Sequence, residues 1–208
     1  MAYAGFHLKD NSLTVCKTIL QRHPEIESFN LITHSVGVNW RQINKNREDK
    51  LRHLKSAFHH STSSELKEYS RKEFLGLTLE RFPVLKEHHV WSIISKVLCT
   101  DGEYRHIPMM NFHPEIGSLN EIEASIKHLT GDRPGVLLSS GRYFHYYGDF
   151  LLTQEEWLQF MASFLMPCVL VSPRYIGHRL HDGYCTLRLT ADNIYKPLVP
   201  EVVRILPI

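Results

Sequence analysis

No stretch of this sequence reaches the roughly 18 consecutive apolar residues that a membrane-spanning helix needs. The N-terminus MAYAGFHLKD lacks the basic start and apolar core of a signal peptide. Neither sign of charge is in excess, since 24 Lys and Arg stand against 22 Asp and Glu. Without a bulk positive charge, any site for phosphate must come from local clustering of basic residues. We therefore expect a soluble, cytoplasmic globular protein with no membrane partner.

Cysteine is also scarce, with four residues in a chain of 208. Cys16, Cys99, Cys168 and Cys185 lie far apart and form no C-x-x-C pair, the spacing typical of metal and redox sites. Three of them sit inside apolar runs. We predict that they are buried thiols in a reducing compartment.

Residues 1–94 carry patterns that predict a mainly helical N-terminal region. In residues 11–23, NSLTVCKTILQRH, apolar side chains recur at helical spacing. In residues 62–77, TSSELKEYSRKEFLGL, a capping box of Thr62 and Glu65 precedes a second such pattern. This region holds no recognisable chemical motif, and it is the candidate surface for a protein partner.

Residues 95–208 alternate between strand and helix patterns. Asp101-Gly102 predicts a hairpin turn, and capping boxes that begin at Ser118 and Thr153 each start an amphipathic helix. Further strands are predicted at both ends of residues 137–152, LLSSGRYFHYYGDFLL, in residues 168–174, CVLVSPR, and in residues 184–190, YCTLRLT. The order predicts an α+β core, in which helices pack on a mixed or antiparallel sheet.

Polar side chains interrupt several of these predicted strands. Successive side chains of a strand point to opposite faces, so each strand offers one mostly apolar face and one partly polar face. If the polar faces adjoin, they form a cationic, hydrogen-bonding patch without carboxylates. A Gly-containing turn beside it, Ser140-Gly141-Arg142, indicates an anion site, because turn N–H groups and arginines favour phosphate oxygens. The predicted patch comprises Asn111, His113, His145, Ser172 and Arg188, extended by Arg142, Arg174, His178 and Arg179.

Several segments, in their order, resemble the motifs of the archaeo-eukaryotic primase superfamily, which includes primase-polymerases. SGRYFH, residues 140–145, is similar to the family's Ser-Gly-Arg-x-x-His hairpin. MNFHPE, residues 110–115, aligns by order with its Asp-x-Asp strand, and LVSPR, residues 170–174, aligns with its third motif. The tail resembles its Arg-rich element with Leu-Arg and Lys-Pro. The resemblance covers about residues 95–200 and implies a primase-like core.

The resemblance also implies roles for individual residues. The turn Ser140-Gly141-Arg142 and His145 would contact phosphates, and Arg188 and Lys196 would be further phosphate or backbone contacts. The Arg-rich element would add the phosphate-binding candidates Arg174, His178 and Arg179.

The chain departs from the family at the positions of the acids. In the family these acids hold the divalent metals of phosphoryl transfer, but here the positions are Asn111, His113 and Ser172. An amide, an imidazole and a hydroxyl bring no negative charge, and Mg²⁺ prefers carboxylates. We expect no cofactor and weak or absent divalent-metal binding, so the polymerase site is degenerate. Glu115 and Asp149 are the nearest acids in the sequence.

The leading hypothesis is a primase-like protein of DNA replication or a related system that binds nucleotide or single-stranded nucleic-acid phosphates without metal-dependent polymerisation. This interpretation favours a protein without catalytic activity. Two alternatives stay open. One is a metal-free phosphodiesterase or nuclease in which His113, His145 and His178 act as general acid and base. The other is a non-catalytic structural or partner-binding protein.

Overall fold

The structure is a computed structural model of the chain. Its description of the molecule covers residues 5–35, 51, 65–83, 85, 88–114, 118–192 and 194–206.

Five α-helices form within the described residues, and most begin with a side-chain cap. The capping boxes predicted from Ser118 and Thr153 are both present, each with the Glu three residues later reaching back to the cap backbone. Gly131 ends the first of these helices in the left-handed conformation. The helices are α1 (Ser12–Arg22), α2 (Arg71–Leu75), α3 (Leu119–Thr130), α4 (Gln154–Ser163) and α5 (Pro173–Asp182).

Within the described ranges, nine strands form two antiparallel sheets, which confirms the predicted α+β class. Sheet I has the order β2-β1-β3-β4, and β8 also pairs with β3. Sheet II has the order β5-β7-β6-β9. The strands are β1 (Ile26–Ser35), β2 (Leu66–Ser70), β3 (His89–Cys99), β4 (Tyr104–His106), β5 (Met109–Phe112), β6 (Gly135–Ser139), β7 (Phe144–Gly148), β8 (Thr186–Arg188) and β9 (Glu201–Leu206).

Both predicted hairpins are confirmed by the pairing of their strands. In the β3–β4 hairpin, Gly102 has φ +82°, and the Asp101 carboxylate accepts from the Glu103 N–H at 3.0 Å. In the β6–β7 hairpin, the strands pair from Gly135 opposite Gly148 to Ser139 opposite Phe144. Local turn residues were therefore sufficient to locate these two connections.

The helical prediction for residues 1–94 holds only in part. The segment 11–23 contains α1, but Leu66–Ser70, predicted as helix, is a strand of sheet I. Pairing with β1 outweighs local helix propensity there. Thr62 of the predicted capping box lies outside the described residues, and the capping box of α2 is formed by Ser70 and Glu73.

The boundary predicted after residue 94 falls inside β3. That strand pairs with β1 on one side and with β4 and β8 on the other. Residues before and after position 94 therefore share one sheet.

The strand predicted in residues 168–174 is wrong. The chain turns through residues 164–170, and α5 begins at Pro173. Proline cannot donate to a strand ladder, whereas its fixed φ suits the first turn of a helix. The same turn leaves Cys168 exposed, against the prediction, while the other three cysteines are buried.

One hydrophobic core joins the two sheets. It includes Ile19 of α1, Trp91 of β3, Tyr146 of β7 and Trp157 of α4, all essentially buried. The chain also crosses between the sheets, since β8 lies in sheet I and the next strand, β9, lies in sheet II. Among the described residues, no helix has the length and apolar character needed to span a bilayer.

A buried hydrogen-bond relay passes through His106. The Cys185 N–H donates to Ser95 Oγ at 2.9 Å, and Ser95 Oγ lies 3.2 Å from His106 Nδ1. His106 Nε2 lies 3.1 Å from Gln154 Oε1, and the ring stacks on Trp157. Only a neutral ring can accept from Ser95 while it donates to Gln154. Burial, opposed by the Gln154 bond, lowers the pKa of His106 to about 4.

We predict that His106 makes the protein less stable in mild acid. Between pH 6.5 and the lowered pKa, the unfolded chain binds a proton that the folded chain does not, so stability falls as pH falls. From pH 7 to pH 5, His106 should account for about 2 kcal/mol of the loss in unfolding free energy. Urea unfolding of the wild type and of His106→Phe at both pH values measures it.

The variant keeps an aromatic ring against Trp157 and should show a shallower pH dependence. His128→Gln, on an exposed position of α3, is the control and should keep the wild-type dependence. An equally steep acid loss in His106→Phe would contradict the assignment.

Candidate functional site

His145 lies on β7, between two neighbouring strands of sheet II. Its register partners are Asn111 of β5 and Leu138 of β6. The side chain is only 5% exposed, so the predicted polar face is covered rather than open to solvent. The charges of Arg188 on β8 and His34 on β1 act on the His145 ring. This face of sheet II is therefore close to polar residues of sheet I.

Arg188 connects three segments around this region. It is 6% exposed, and its Nη1 donates to the carbonyl oxygens of Thr190 at 2.7 Å and Leu198 at 2.6 Å. Nη2 donates to the carbonyl oxygen of Ser140 at 3.2 Å. One guanidinium thus ties β8 to the β6–β7 turn and to the loop before β9.

The β6–β7 turn is closed by its own backbone. The Ser140 N–H and hydroxyl both donate to the Tyr143 carbonyl, at 2.8 and 3.0 Å. Gly141 has φ +98°, a conformation that favours glycine. The donors of Ser140 are therefore used inside the turn, while Arg142 stands exposed at its tip.

A second turn presents Lys196 to the same region. The Asp192 carboxylate accepts from the N–H groups of Ile194 at 3.3 Å and Tyr195 at 2.7 Å, and the Asp192 N–H donates to the Lys196 carbonyl. Lys196 Nζ lies 5.0 Å from the centre of the Tyr143 ring. Sequence reasoning missed Asp192, although Asp-Asn at a chain reversal is a signal for such a turn.

Five basic side chains make up what we name the cationic cluster: His34, His113, His145, Arg188 and Lys196. Burial lowers the pKa of His145 well below its usual value, and the charges of Arg188, His113, Lys196 and His34 lower it further. Burial lowers the pKa of Arg188 to about 10. Burial, then Arg188 and Arg142, lowers the pKa of Lys196. Desolvation and mutual repulsion therefore both oppose positive charge here.

His34 belongs to this cluster but was absent from the predicted patch. Its ring Nδ1 lies 3.2 Å from Ser92 Oγ, and Ser92 is the register partner of Arg188. Burial, followed by Arg179, Arg188 and Lys196, lowers the pKa of His34 to about 4. Only the pairing of β1 with β3, and of β3 with β8, places His34 near Arg188.

Two adjacent polar atoms in the region are buried without a hydrogen-bond partner among the described residues. They are Asn111 Oδ1 and His145 Nδ1, on residues that face each other across β5 and β7. Leaving such an atom without a partner costs about 1–3 kcal/mol. In native proteins nearly all buried polar atoms have a hydrogen-bond partner, so each exception calls for a specific explanation.

The structure places the remaining predicted residues along α5. Ser172 is its N-cap but makes no capping bond with its side chain. Arg174 Nε lies 3.4 Å from His178 Nε2. Arg179 donates to Thr186 Oγ1 at 2.7 Å and pairs with Asp182 at 2.8 Å, so it fastens α5 to β8.

His113 lies between the β6–β7 turn and the start of α5. Its backbone N–H donates to the Leu170 carbonyl at 2.8 Å. Its ring centre is 4.1 Å from that of Tyr143 and 6.2 Å from that of Tyr175. The structure therefore brings together five of the predicted residues: Asn111, His113, His145, Arg188 and Lys196. Arg179 instead forms a structural ion pair with Asp182.

The donor set does not suit a divalent metal. Within the part of the chain that the structure describes, no three His, Cys, Asp or Glu side chains are placed to hold a metal ion. Hard cations prefer carboxylate oxygens, whereas Asn111, His113 and Ser172 offer none. Asp149, one of the two nearest acids in the sequence, pairs instead with Arg22 at 2.6 Å. Glu115 lies outside the described residues.

The chain belongs to the archaeo-eukaryotic primase group of proteins. Within that group, residues 71–201, more than half of the chain, match the family model described as archaeo-eukaryotic primase 1D-like. This confirms the resemblance seen in the sequence, and it extends the match to α2 and β3. No curated protein and no solved structure matches the chain significantly.

We predict that Arg188→Met destabilises the fold by about 2–4 kcal/mol, because three carbonyl oxygens lose their donor at once. Urea unfolding measures the change. Arg204→Met is the matched control, since Arg204 pairs with Glu123 in a partly exposed bridge that should contribute at most about 1 kcal/mol. Equal effects of the two substitutions would show that the bonds of Arg188 do not hold these segments together.

Proposed function

We propose that the chain binds the phosphates of a nucleotide or a nucleic acid at the cationic cluster and does not use divalent metals to polymerise nucleotides. The observation that carries this proposal is a pair of buried atoms, Asn111 Oδ1 and His145 Nδ1. Neither atom has a hydrogen-bond partner among the described residues, and the charge of Arg188 acts on the His145 ring.

The charge of the region supports an anionic ligand. The three hydrogen bonds of Arg188 all go to neutral carbonyl oxygens. Lys196 and Arg142 add positive charge close by, since both Arg188 and Arg142 act on Lys196. Arginine and lysine near backbone turns are the usual ligands of phosphate oxygens in proteins. A phosphate would offset charges that otherwise repel one another.

The residues divide into those that would contact phosphate and those that shape the site. Arg142, His145 and Lys196 have side-chain donors that the described hydrogen bonds do not use. Ser140, Gly141 and Arg188 hold the two turns in place. Arg174 and His178 lie at the α5 edge, where they would contact a ligand that extends past His113.

The lack of metal-dependent polymerisation follows from the residues in place of the family's acids. Two-metal phosphoryl transfer needs carboxylates that hold both cations close to the attacking and leaving oxygens. Asn111 and His113 offer neutral atoms in a region of positive potential, which repels Mg²⁺.

Binding should be measurable without metal. We expect ATP, single-stranded DNA and single-stranded RNA, titrated at low salt in excess chelator, to include at least one ligand that binds. Lys196→Gln should weaken that binding about tenfold and reduce its salt dependence by about one counterion. Lys127→Gln, which removes a lysine from α3, is the matched control and should leave binding unchanged.

Failure of the wild type to bind any of the three probes would overturn the proposal and favour a structural or partner-binding role. Cleavage of the RNA in excess chelator, lost in His145→Ala, would favour the metal-free phosphodiesterase instead.

We also predict that Mg²⁺ binds the wild type no more tightly than millimolar, as measured by calorimetry. Asn111→Asp combined with His113→Asp supplies two carboxylates and should strengthen Mg²⁺ binding by at least tenfold. Primer extension by the wild type with Mg²⁺ or Mn²⁺ would contradict the proposed loss of polymerisation.

A further inference from the structure

The groups that act most strongly on the His145 ring are all basic or neutral, and they come from several neighbouring elements. Asn111 of β5 is its register partner, and the charges of His113 just after β5, Arg188 of β8, His34 of β1 and Lys196 of the loop before β9 act on its ring. Tyr147, two residues along β7, is buried and shares its strand face. The groups that act most strongly on the ring include no carboxylate.

In the free protein, His145 is therefore neutral at physiological pH. A proton on this ring would be buried beside Arg188 and Lys196, and the Asp192 carboxylate acts on Arg188 rather than being among the groups that act most strongly on the ring. The ring keeps its polar Nδ1 without a described partner. The site is thus positively charged around its edge, while the His145 imidazole is neutral. Binding of an anion would favour protonation of this ring.

We propose that an anion enters the cationic cluster together with a proton, which His145 takes up from solvent. This inference rests on the proposed function, since it describes how phosphate binding is regulated at the same site. No covalent bond forms or breaks, and one proton moves from the buffer to the imidazole ring.

The physical basis is the reversal of the local potential. An anion held by Lys196 and Arg142 beside Arg188 neutralises the charges that keep the ring uncharged, and it adds a negative charge nearby. The protonated ring then donates from both nitrogens and pairs with the anion in a charge-assisted hydrogen bond. Binding and protonation favour each other, so each must increase the other to the same degree.

The coupling makes binding depend on pH. Where the complex holds one more proton than the free protein, affinity falls up to tenfold for each unit of rising pH. Affinity reaches its plateau only where the ring is protonated in both states or in neither. The site would bind phosphate most tightly in mildly acidic conditions.

The test uses a thymidine oligonucleotide with no terminal phosphate. Its phosphodiesters do not titrate near pH 6, unlike a terminal phosphate, whose second pKa is about 6. Calorimetric titrations of the wild type at pH 6 and 7, in buffers of different ionisation enthalpy, give the number of protons taken up on binding. We expect uptake of roughly half a proton or more at one of these pH values.

Three variants assign the proton. His145→Gln should bind with no uptake and with a flat affinity between pH 6 and 8. His34→Gln should keep at least half of the wild-type uptake, and His128→Gln should keep all of it. Circular dichroism at both pH values confirms that each variant is folded.

If His145→Gln does not fold, the histidine Cε1 proton resonances of the wild type, titrated with and without oligonucleotide, report the same change. Oligonucleotide binding without proton uptake would overturn this inference and leave the proposed function intact. Uptake that persists in His145→Gln would also overturn it. If the thymidine oligonucleotide does not bind, a uridine oligonucleotide without a terminal phosphate takes its place, and failure of both oligonucleotides and of ATP to bind would overturn the proposed function itself.

Discussion

The buried guanidinium of Arg188 is the interaction on which the site depends. It lies on β8 of sheet I, yet its hydrogen bonds go to the Ser140 turn of sheet II, to Leu198 and to Thr190. Arg188 donates from two separate nitrogens, Nη1 and Nη2, whereas a lysine at this position would carry all of its donors on one nitrogen. The position of Arg142, at the tip of the turn, follows from this one side chain.

The cost of burying this cation is the second constraint. Elsewhere the buried charges of Asp149 and Arg179 have partners of opposite sign, Arg22 and Asp182 respectively. Arg188 instead bonds to carbonyl oxygens and stays close to Lys196 and to three histidines. Such an arrangement lowers stability relative to a paired charge. Arg188 and Lys196, which adjoin the buried, unsatisfied atoms of Asn111 and His145, fit the proposed binding of an anion.

Local chemistry accounts for the parts of the structure that the sequence predicted well. Asp101-Gly102 formed its hairpin, and the two capping boxes at Ser118 and Thr153 began their helices. One failure occurred where a distant segment decides, since Leu66–Ser70 carried helix-forming residues but pairs with β1. The other was local, since the apolar run in residues 168–174 ends at Pro173, which begins α5. Propensity is a weak prior, and tertiary pairing overrides it.

The sequence by itself determined the chemical identity of the site: the Ser-Gly-Arg turn, His145 on the strand that follows, and neutral residues in place of acids. Those features depend on a few neighbouring residues, and strand alternation was sufficient to group them. Only the tertiary structure decided that the polar face is buried, that His34 joins it, and that Arg188 serves as a tie between the sheets. Each of these depends on the register of strands far apart in the chain, and no local pattern specifies which distant strands pair.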